Sequence, residues 1–144
     1  MPYTSRDLRR YNYLLQETDA VYHEMAQHWG LPDSVMGVLY TLCDAGGRCS
    51  VREVCRLGGM SKQTVNSATR RMVREGLLTL TPGKGREMQM HLTEAGRQLA
   101  ARTVLPLARA EQAAINALTG EELQTYLALS RKLLKQLRRT TAEL

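Results

Sequence analysis

Polar side chains recur along one predicted helix of this 144-residue chain, between Ser61 and Arg74. Lysine and arginine donate hydrogen bonds to guanine edges or to phosphates, asparagine and glutamine match adenine through two hydrogen bonds, and serine and threonine serve either role. Side chains of these types on one helix face could therefore read base-pair edges in a DNA groove. The set comprises Ser61, Lys62, Gln63, Thr64, Asn66, Ser67, Arg70 and Arg71.

The apolar residues of the same segment recur at helical spacing, which predicts a buried face opposite the polar one. They are Val65, Ala68, Thr69, Met72 and Val73. Ser61 is a suitable N-cap, and Met60 before it could pack on the first turn of the helix. Taken alone, this helix is also compatible with an ordinary solvated surface.

A second helix is predicted just upstream, starting at Ser50 as the N-cap and ending at the glycine pair Gly58 and Gly59. Two helices joined by so short a glycine turn are typical of a helix-turn-helix, whose second helix enters the major groove. The order of elements therefore favours DNA reading over a merely solvated face.

Downstream, the residues LLTLT and MQMHL alternate like two strands, and the turn Pro82-Gly83-Lys84-Gly85 lies between them. This pattern predicts a β-hairpin with a basic tip at Lys84 and Arg86. From residue 60 to 90 there are six basic and two acidic residues, a local net charge of +4. The alternative to a DNA reader is a winged-helix module that binds only proteins. An RNA reader is less favoured, because the aromatic side chains on which RNA bases stack are absent.

The hairpin is followed by Leu92, Thr93 and, three residues later, Gly96. With this Leu-Thr-x-x-Gly run, the chain resembles the MarR family of bacterial regulators, which are winged-helix homodimers. The resemblance implies a wing arginine that enters the minor groove, at Arg86, and an acid two residues before it. Lys84 stands at the acid's position, so we expect a more flexible wing with stronger phosphate attraction.

The expected fold is mainly α-helical with a small β-hairpin wing. We expect one MarR-like domain over residues 1–144, with a winged-helix DNA-binding lobe at 32–96 and dimerisation helices at 5–30 and 97–144. Apolar stripes on both terminal segments need a partner surface. They could fold back on the lobe, but the resemblance implies a homodimer on a pseudo-palindromic operator. The stripes are Leu8, Tyr11, Leu15, Thr18, Tyr22, Met25 and Trp29, and Leu123, Tyr126, Leu127, Leu133, Leu134 and Leu137.

The resemblance also implies a small aromatic effector, bound in a crevice between the dimer arms and the DNA-binding lobe. Aromatic and sulfur side chains that could line this crevice are Tyr11, Tyr22, Met25, His28, Trp29 and Met36. Ordinary packing is the alternative explanation for residues at this spacing.

Three cysteines, Cys43, Cys49 and Cys55, lack a Cys-x-x-Cys pair, so neither a zinc site nor a disulfide framework is predicted. Cys49 lies between Arg48 and Ser50 in a predicted loop, where an accessible thiol of lowered pKa could sense oxidants. A redox-sensing regulator is thus an alternative function.

A net charge of +6 and a pI near 9.5 suit a polyanionic partner. No apolar run is long enough to span a bilayer and no signal peptide is evident, so we expect a cytoplasmic protein. The three histidines lack neighbours that would activate a nucleophile, and neither an enzyme nor a cofactor is predicted. The sequence thus predicts a DNA-binding transcriptional regulator, a repressor released by an effector.

Overall fold

The computed structural model describes all 144 residues and contains two compact units, Met1–Leu105 and Pro106–Leu144. The fold is mostly helical with one small antiparallel sheet. None of the helices combines the length and apolar character needed to cross a bilayer. In chain order the elements are α1 (Arg6–His28), α2 (Asp33–Asp44), β1 (Arg48–Ser50), α3 (Val51–Gly58), α4 (Lys62–Arg74), β2 (Leu78–Pro82), β3 (Met88–Leu92), α5 (Glu94–Arg102), α6 (Val104–Ile115) and α7 (Gly120–Thr141).

The core of the first unit lies where α2, α3 and α4 meet the sheet. Its fully buried side chains are mainly branched aliphatic residues and methionines from these elements, a composition that packs densely without polar atoms to satisfy. They include Val35, Val38, Leu39, Leu42, Val54, Val65, Met72, Leu78 and Met90. The Thr69 hydroxyl, also buried, donates to the Met90 sulfur at 3.5 Å and joins α4 to β3.

Side-chain caps fix where the two helices of the helix-turn-helix begin. The Ser50 hydroxyl accepts a hydrogen bond from the Glu53 N–H, and the Ser61 hydroxyl accepts one from the Thr64 N–H, both at 3.1 Å. Each bond satisfies one backbone donor that a helix start leaves unpaired. The caps predicted at Ser50 and Ser61 are confirmed.

The sheet has three strands, in the order β1-β3-β2, where the sequence predicted two. The hairpin of β2 and β3 pairs Leu78 with Leu92 and Pro82 with Met88. The additional strand β1 lies on the other side of β3 and pairs Cys49 with Met90. A three-residue strand is too short to show alternation, and its partner is about forty residues away in sequence, so no local pattern could reveal it.

The Leu-Thr-x-x-Gly run ties α5 to the turn between α4 and β2. Thr93 caps α5 by accepting from the Gly96 N–H at 3.1 Å, and its hydroxyl donates to the Gly76 carbonyl oxygen at 2.6 Å. Gly96 packs directly on the Leu77 backbone, so a Cβ there would overlap the Leu77 carbonyl oxygen. Both residue types are therefore required by a close helix–turn contact.

Two helices leave most of their apolar side chains exposed within the chain. On α1 only Ala26 is buried, and Leu8, Tyr11, Leu15 and Tyr22 are all exposed. In the second unit, α7 buries no residue at all. Its exposed apolar side chains are Tyr126, Leu127, Leu129, Leu133, Leu134 and Leu137.

Candidate nucleic-acid interface

Helix α4 divides into a buried face and an exposed polar face. Val65, Ala68, Thr69 and Met72 are buried as predicted. Val73, also predicted to be buried, is instead exposed, because it lies in the last turn at the edge of the buried face. On the polar side Asn66 and Arg71 are half-buried, and the exposed residues are Ser61, Lys62, Gln63, Thr64, Ser67, Arg70 and Arg74.

The wing is a hairpin closed at its tip by two backbone hydrogen bonds. The Gly83 N–H donates to the Glu87 carbonyl oxygen at 2.7 Å, and the Glu87 N–H donates to the Lys84 carbonyl oxygen at 3.2 Å. Gly85 adopts a positive φ of 64°, which a residue with a side chain would rarely tolerate. Lys84 and Arg86 flank this glycine, and both side chains are exposed.

A groove of about 570 Å³ lies among α3, α4 and the start of β3. It brings together three residues that the sequence singled out, Lys62, Asn66 and Arg86, from two separate elements. Its lining also contains the apolar side chains of Val51, Cys55 and Met88. Gln63, Ser67, Arg70 and Lys84 do not line this groove, although they are exposed on the same two elements.

Two charged residues of the groove, Arg52 and Glu87, were not among the predicted site residues. Arg52 lies on the exposed side of α3, and its Nη1 is 3.7 Å from Glu87 Oε1 at the base of the wing tip. The spacing of Arg52 and Arg56 around a short helix marks an exposed face, but no sequence pattern joins that face to residue 87.

The acidic residues of this region are neutralised by partners, whereas most of the basic ones are not. Glu75 pairs with Arg71 at 2.9 Å, and Glu87 pairs with Arg52. Five cations form no ion pair and keep their charge available for an anionic ligand; they are Lys62, Arg70, Arg74, Lys84 and Arg86. Arg71, predicted as a phosphate contact, is held within α4 by Glu75.

Cys49 does not have the accessibility predicted for it. It is only 4% exposed, because it lies in β1 against β3 rather than in a loop. Burial raises the pKa of its thiol, and so does its hydrogen bond to the Glu53 carboxylate at 3.5 Å. The prediction of an exposed thiol with a lowered pKa is wrong, and redox sensing by Cys49 loses the observation on which it depended.

The residues expected to line an effector crevice belong to α1, to the residue that follows it, and to α2. Met36 on α2 is buried, and Met25 and Trp29 are half-buried. Tyr11, Tyr22 and His28 are exposed, and the His28 ring meets the Trp29 ring edge-on at 6.0 Å between centroids. No three His, Cys, Asp or Glu side chains come close enough together to hold a metal ion.

The model of the MarR family matches residues 29–87, which span α2, the helix-turn-helix and most of the wing. No curated protein is significantly similar to the whole sequence.

Solved structures share the fold over most of the chain. The MarR family regulator NMB1585 from Neisseria meningitidis is 19% identical, with a TM-score of 0.84 over 96% of this chain and 99% of that one. BpsR from Bordetella bronchiseptica, described as regulated in its DNA binding by 6-hydroxynicotinic acid, is 24% identical, with a TM-score of 0.63 over 86% and 98%. PcaV from Streptomyces coelicolor, solved with its natural ligand, is 21% identical, with a TM-score of 0.67 over 94% and 98%.

The family model covers the helix-turn-helix, β2 and the wing tip, and the same mainly helical winged-helix fold extends over nearly the whole chain. Residues 29–87 therefore match the MarR family model, and nearly the whole chain has the winged-helix fold of solved MarR family regulators.

Proposed function

We propose that this protein is a transcriptional regulator that reads an operator with α4 in the major groove and with the wing beside it. The observation that carries the proposal is the groove in which Lys62 and Asn66 of α4 face Arg86 of the wing. Lysine and asparagine on the first turns of a recognition helix can reach base edges, and a cationic wing can follow the backbone or the minor groove. The unpaired charges of Lys62, Arg70, Lys84 and Arg86 support phosphate contacts.

The other exposed polar residues of α4 complete the proposed DNA surface. Arg70, about two turns beyond the start of α4, is our first candidate for a guanine contact, because an arginine binds guanine through two hydrogen bonds. Gln63, Thr64 and Ser67 supply base or phosphate contacts. The Ser61 hydroxyl already donates to the Thr64 hydroxyl at 2.8 Å, so these two side chains contact DNA as a pair. Arg71 would reach phosphate only by exchanging Glu75 for it.

We propose that the protein acts as a homodimer built from its terminal helices. The exposed apolar faces of α1 and α7 support this, because a leucine side chain gains roughly 1.5–3 kcal/mol when it leaves water. A two-fold dimer would present two copies of α4 about one DNA turn, roughly 10 bp, apart. The operator would then be pseudo-palindromic, and repression would follow from its overlap with a promoter.

A small aromatic effector is proposed to release the operator. The support is that BpsR responds to 6-hydroxynicotinic acid and that PcaV was solved with its natural ligand. In this chain the proposed lining is the aromatic side of α1 together with α2: Tyr11, Tyr22, Met25, His28, Trp29 and Met36. Met36 would have to move from its buried position to contact a ligand, whereas Trp29 and His28 would not.

Selection of the purified protein against a random duplex library, followed by titration at several salt concentrations, tests the proposal. We expect enrichment of a two-fold symmetric site. We also expect the logarithm of the DNA association constant to fall linearly with the logarithm of the salt concentration, with a slope of about −0.9 for each phosphate contacted. Failure to enrich any sequence, with only weak salt-sensitive binding, would contradict operator reading and favour a protein partner.

A further inference from the structure

One ion pair connects the wing to the helix-turn-helix, and it lies at the residue that closes the wing tip. Glu87 uses its backbone N–H and carbonyl to close the tip turn, with Lys84 and Gly83 as partners. Its carboxylate reaches Arg52 on α3 at 3.7 Å. Glu87 is therefore bonded to the tip through its main chain and to the helical body through its side chain.

The same residue is the direct neighbour of Arg86, the wing cation that faces the groove. Arg52, Arg86 and Glu87 all line this groove together with Lys62 and Asn66. The position two residues before Arg86, where the family resemblance implies an acid, is occupied by Lys84. Lys84 cannot pair with Arg86, because both carry positive charge, and Gly83 and Gly85 on either side of it lower the stiffness of the tip. Within the wing, Glu87 is the only carboxylate left to restrain the tip.

We propose that Glu87 is the positioning residue of the wing in this chain. Its ion pair with Arg52 holds the tip so that Arg86 faces the groove shared with Lys62 and Asn66. The acid that orients the wing has thus moved from the position of Lys84 to that of Glu87, and its partner lies on α3. This inference rests on the proposed DNA-reading function.

The exposure of the pair sets the size of the expected effect. The Arg52 side chain is 86% exposed and that of Glu87 is 37% exposed, so water screens their attraction. Such a pair does not hold the fold together. It biases the wing among poses that differ little in free energy, and its loss should change DNA discrimination by about two- to fivefold.

A charge-matched comparison of Glu87→Gln with Glu75→Gln tests this role. Both substitutions remove one negative charge from the same lobe, so both should raise affinity for random DNA to a similar extent. Glu75 pairs within α4 and not with the wing. We expect only Glu87→Gln to reduce the ratio of operator affinity to random-DNA affinity, by about two- to fivefold, with the loss confined to the base positions that the wing reads.

Reversal of the pair provides the rescue. Arg52→Glu and Glu87→Arg should each lower the discrimination ratio, and the double variant, which restores an ion pair of opposite polarity, should recover much of it. Equal ratios for Glu87→Gln and Glu75→Gln, or a double variant that merely adds the two single losses, would overturn the positioning role. A wild-type protein with no preferred sequence would instead overturn the proposed function itself, and with it this inference.

Discussion

The cations around the groove differ in whether an acidic residue of the chain pairs with them. This difference determines which of them can bind DNA without first breaking an ion pair. Lys62, Arg70 and Arg86 have no ion-pair partner in the chain, so none must break an internal contact before it binds DNA. Arg71, by contrast, donates to Glu75 at 2.9 Å within its own helix. The residue types of α4 could be predicted from the sequence, because helical spacing separates the polar from the apolar face. The pairing of Arg52 with Glu87 could not, since it joins residues 35 positions apart across a groove.

Arg70→Ala tests base reading by a single side chain. If Arg70 binds a guanine through two hydrogen bonds, operator affinity should fall by about 1–3 kcal/mol and one operator position should lose its preference. Arg102→Ala on α5 removes the same charge from a helix that does not line the groove and serves as the control. The measurement is the affinity of both variants for operators mutated at each position. If Arg70→Ala weakens binding to all sequences equally, Arg70 contacts phosphate and does not read a base.

The buried thiol of Cys49 makes a prediction about pH. Burial and the Glu53 hydrogen bond raise its pKa above the ordinary value near 9.0. The unfolded chain therefore releases this proton at lower pH than the folded protein, so the contribution to stability is complete below pH 9.0 and is lost as pH rises toward the folded pKa. Urea unfolding of the wild type and of Cys49→Ala, from about pH 8 to about pH 10, should show a steeper loss in the wild type.

Parallel slopes for the two proteins would contradict this assignment. Cys43 contributes to the same pH dependence, because burial, and to a lesser extent the nearby Asp44 carboxylate, raise the pKa of its thiol as well. A Cys43→Ala variant therefore serves as the second comparison.

Elements were predicted well where their signals are local. Capping serines and glycine turns lie within a few residues of the backbone groups they satisfy, so the helix-turn-helix and the hairpin follow from the sequence. Strand β1 does not, because its only evidence is pairing with β3. The burial of Cys49 depends on that strand, and this is why its accessibility was wrongly predicted.

Gly96→Ala tests the contact between α5 and the turn before β2. A methyl group there would overlap the Leu77 carbonyl oxygen and come within 3.0 Å of the Leu92 side chain. Since backbone cannot move aside cheaply, we expect a loss of about 1–3 kcal/mol in the free energy of unfolding. Gly120→Ala is the matched control, because a Cβ at that helical glycine meets nothing within 4 Å. Equal stability of the two variants in urea unfolding would contradict the close contact.

The apolar faces of α1 and α7 have no covering partner within a single copy of the chain. Their periodicity could be seen in the sequence, and the structure leaves them exposed. A stripe predicts that an apolar partner exists, but periodicity cannot tell whether the partner is the same chain or a second copy. Because the apolar side chains of α1 and α7 stay exposed within one chain, they support a second copy of the chain as the partner.

Leu134→Glu on α7 tests the proposed dimer. A charge placed on the apolar face should shift sedimentation toward monomer, because the carboxylate would lose water on association. Gln136→Glu adds the same charge at a position that was already polar and should leave the dimer intact. A wild-type protein that sediments only as a monomer at micromolar concentration would contradict the proposed homodimer.

Hydroxyl-radical footprinting of the protein on its selected operator tests whether α4 and the wing read DNA together. We predict two symmetric sets of protection about one helical turn, roughly 10 bp, apart, each with a flanking part that Arg86→Ala removes and a central part that it leaves. Protection without this division, or a footprint that Arg86→Ala leaves unchanged, would contradict it.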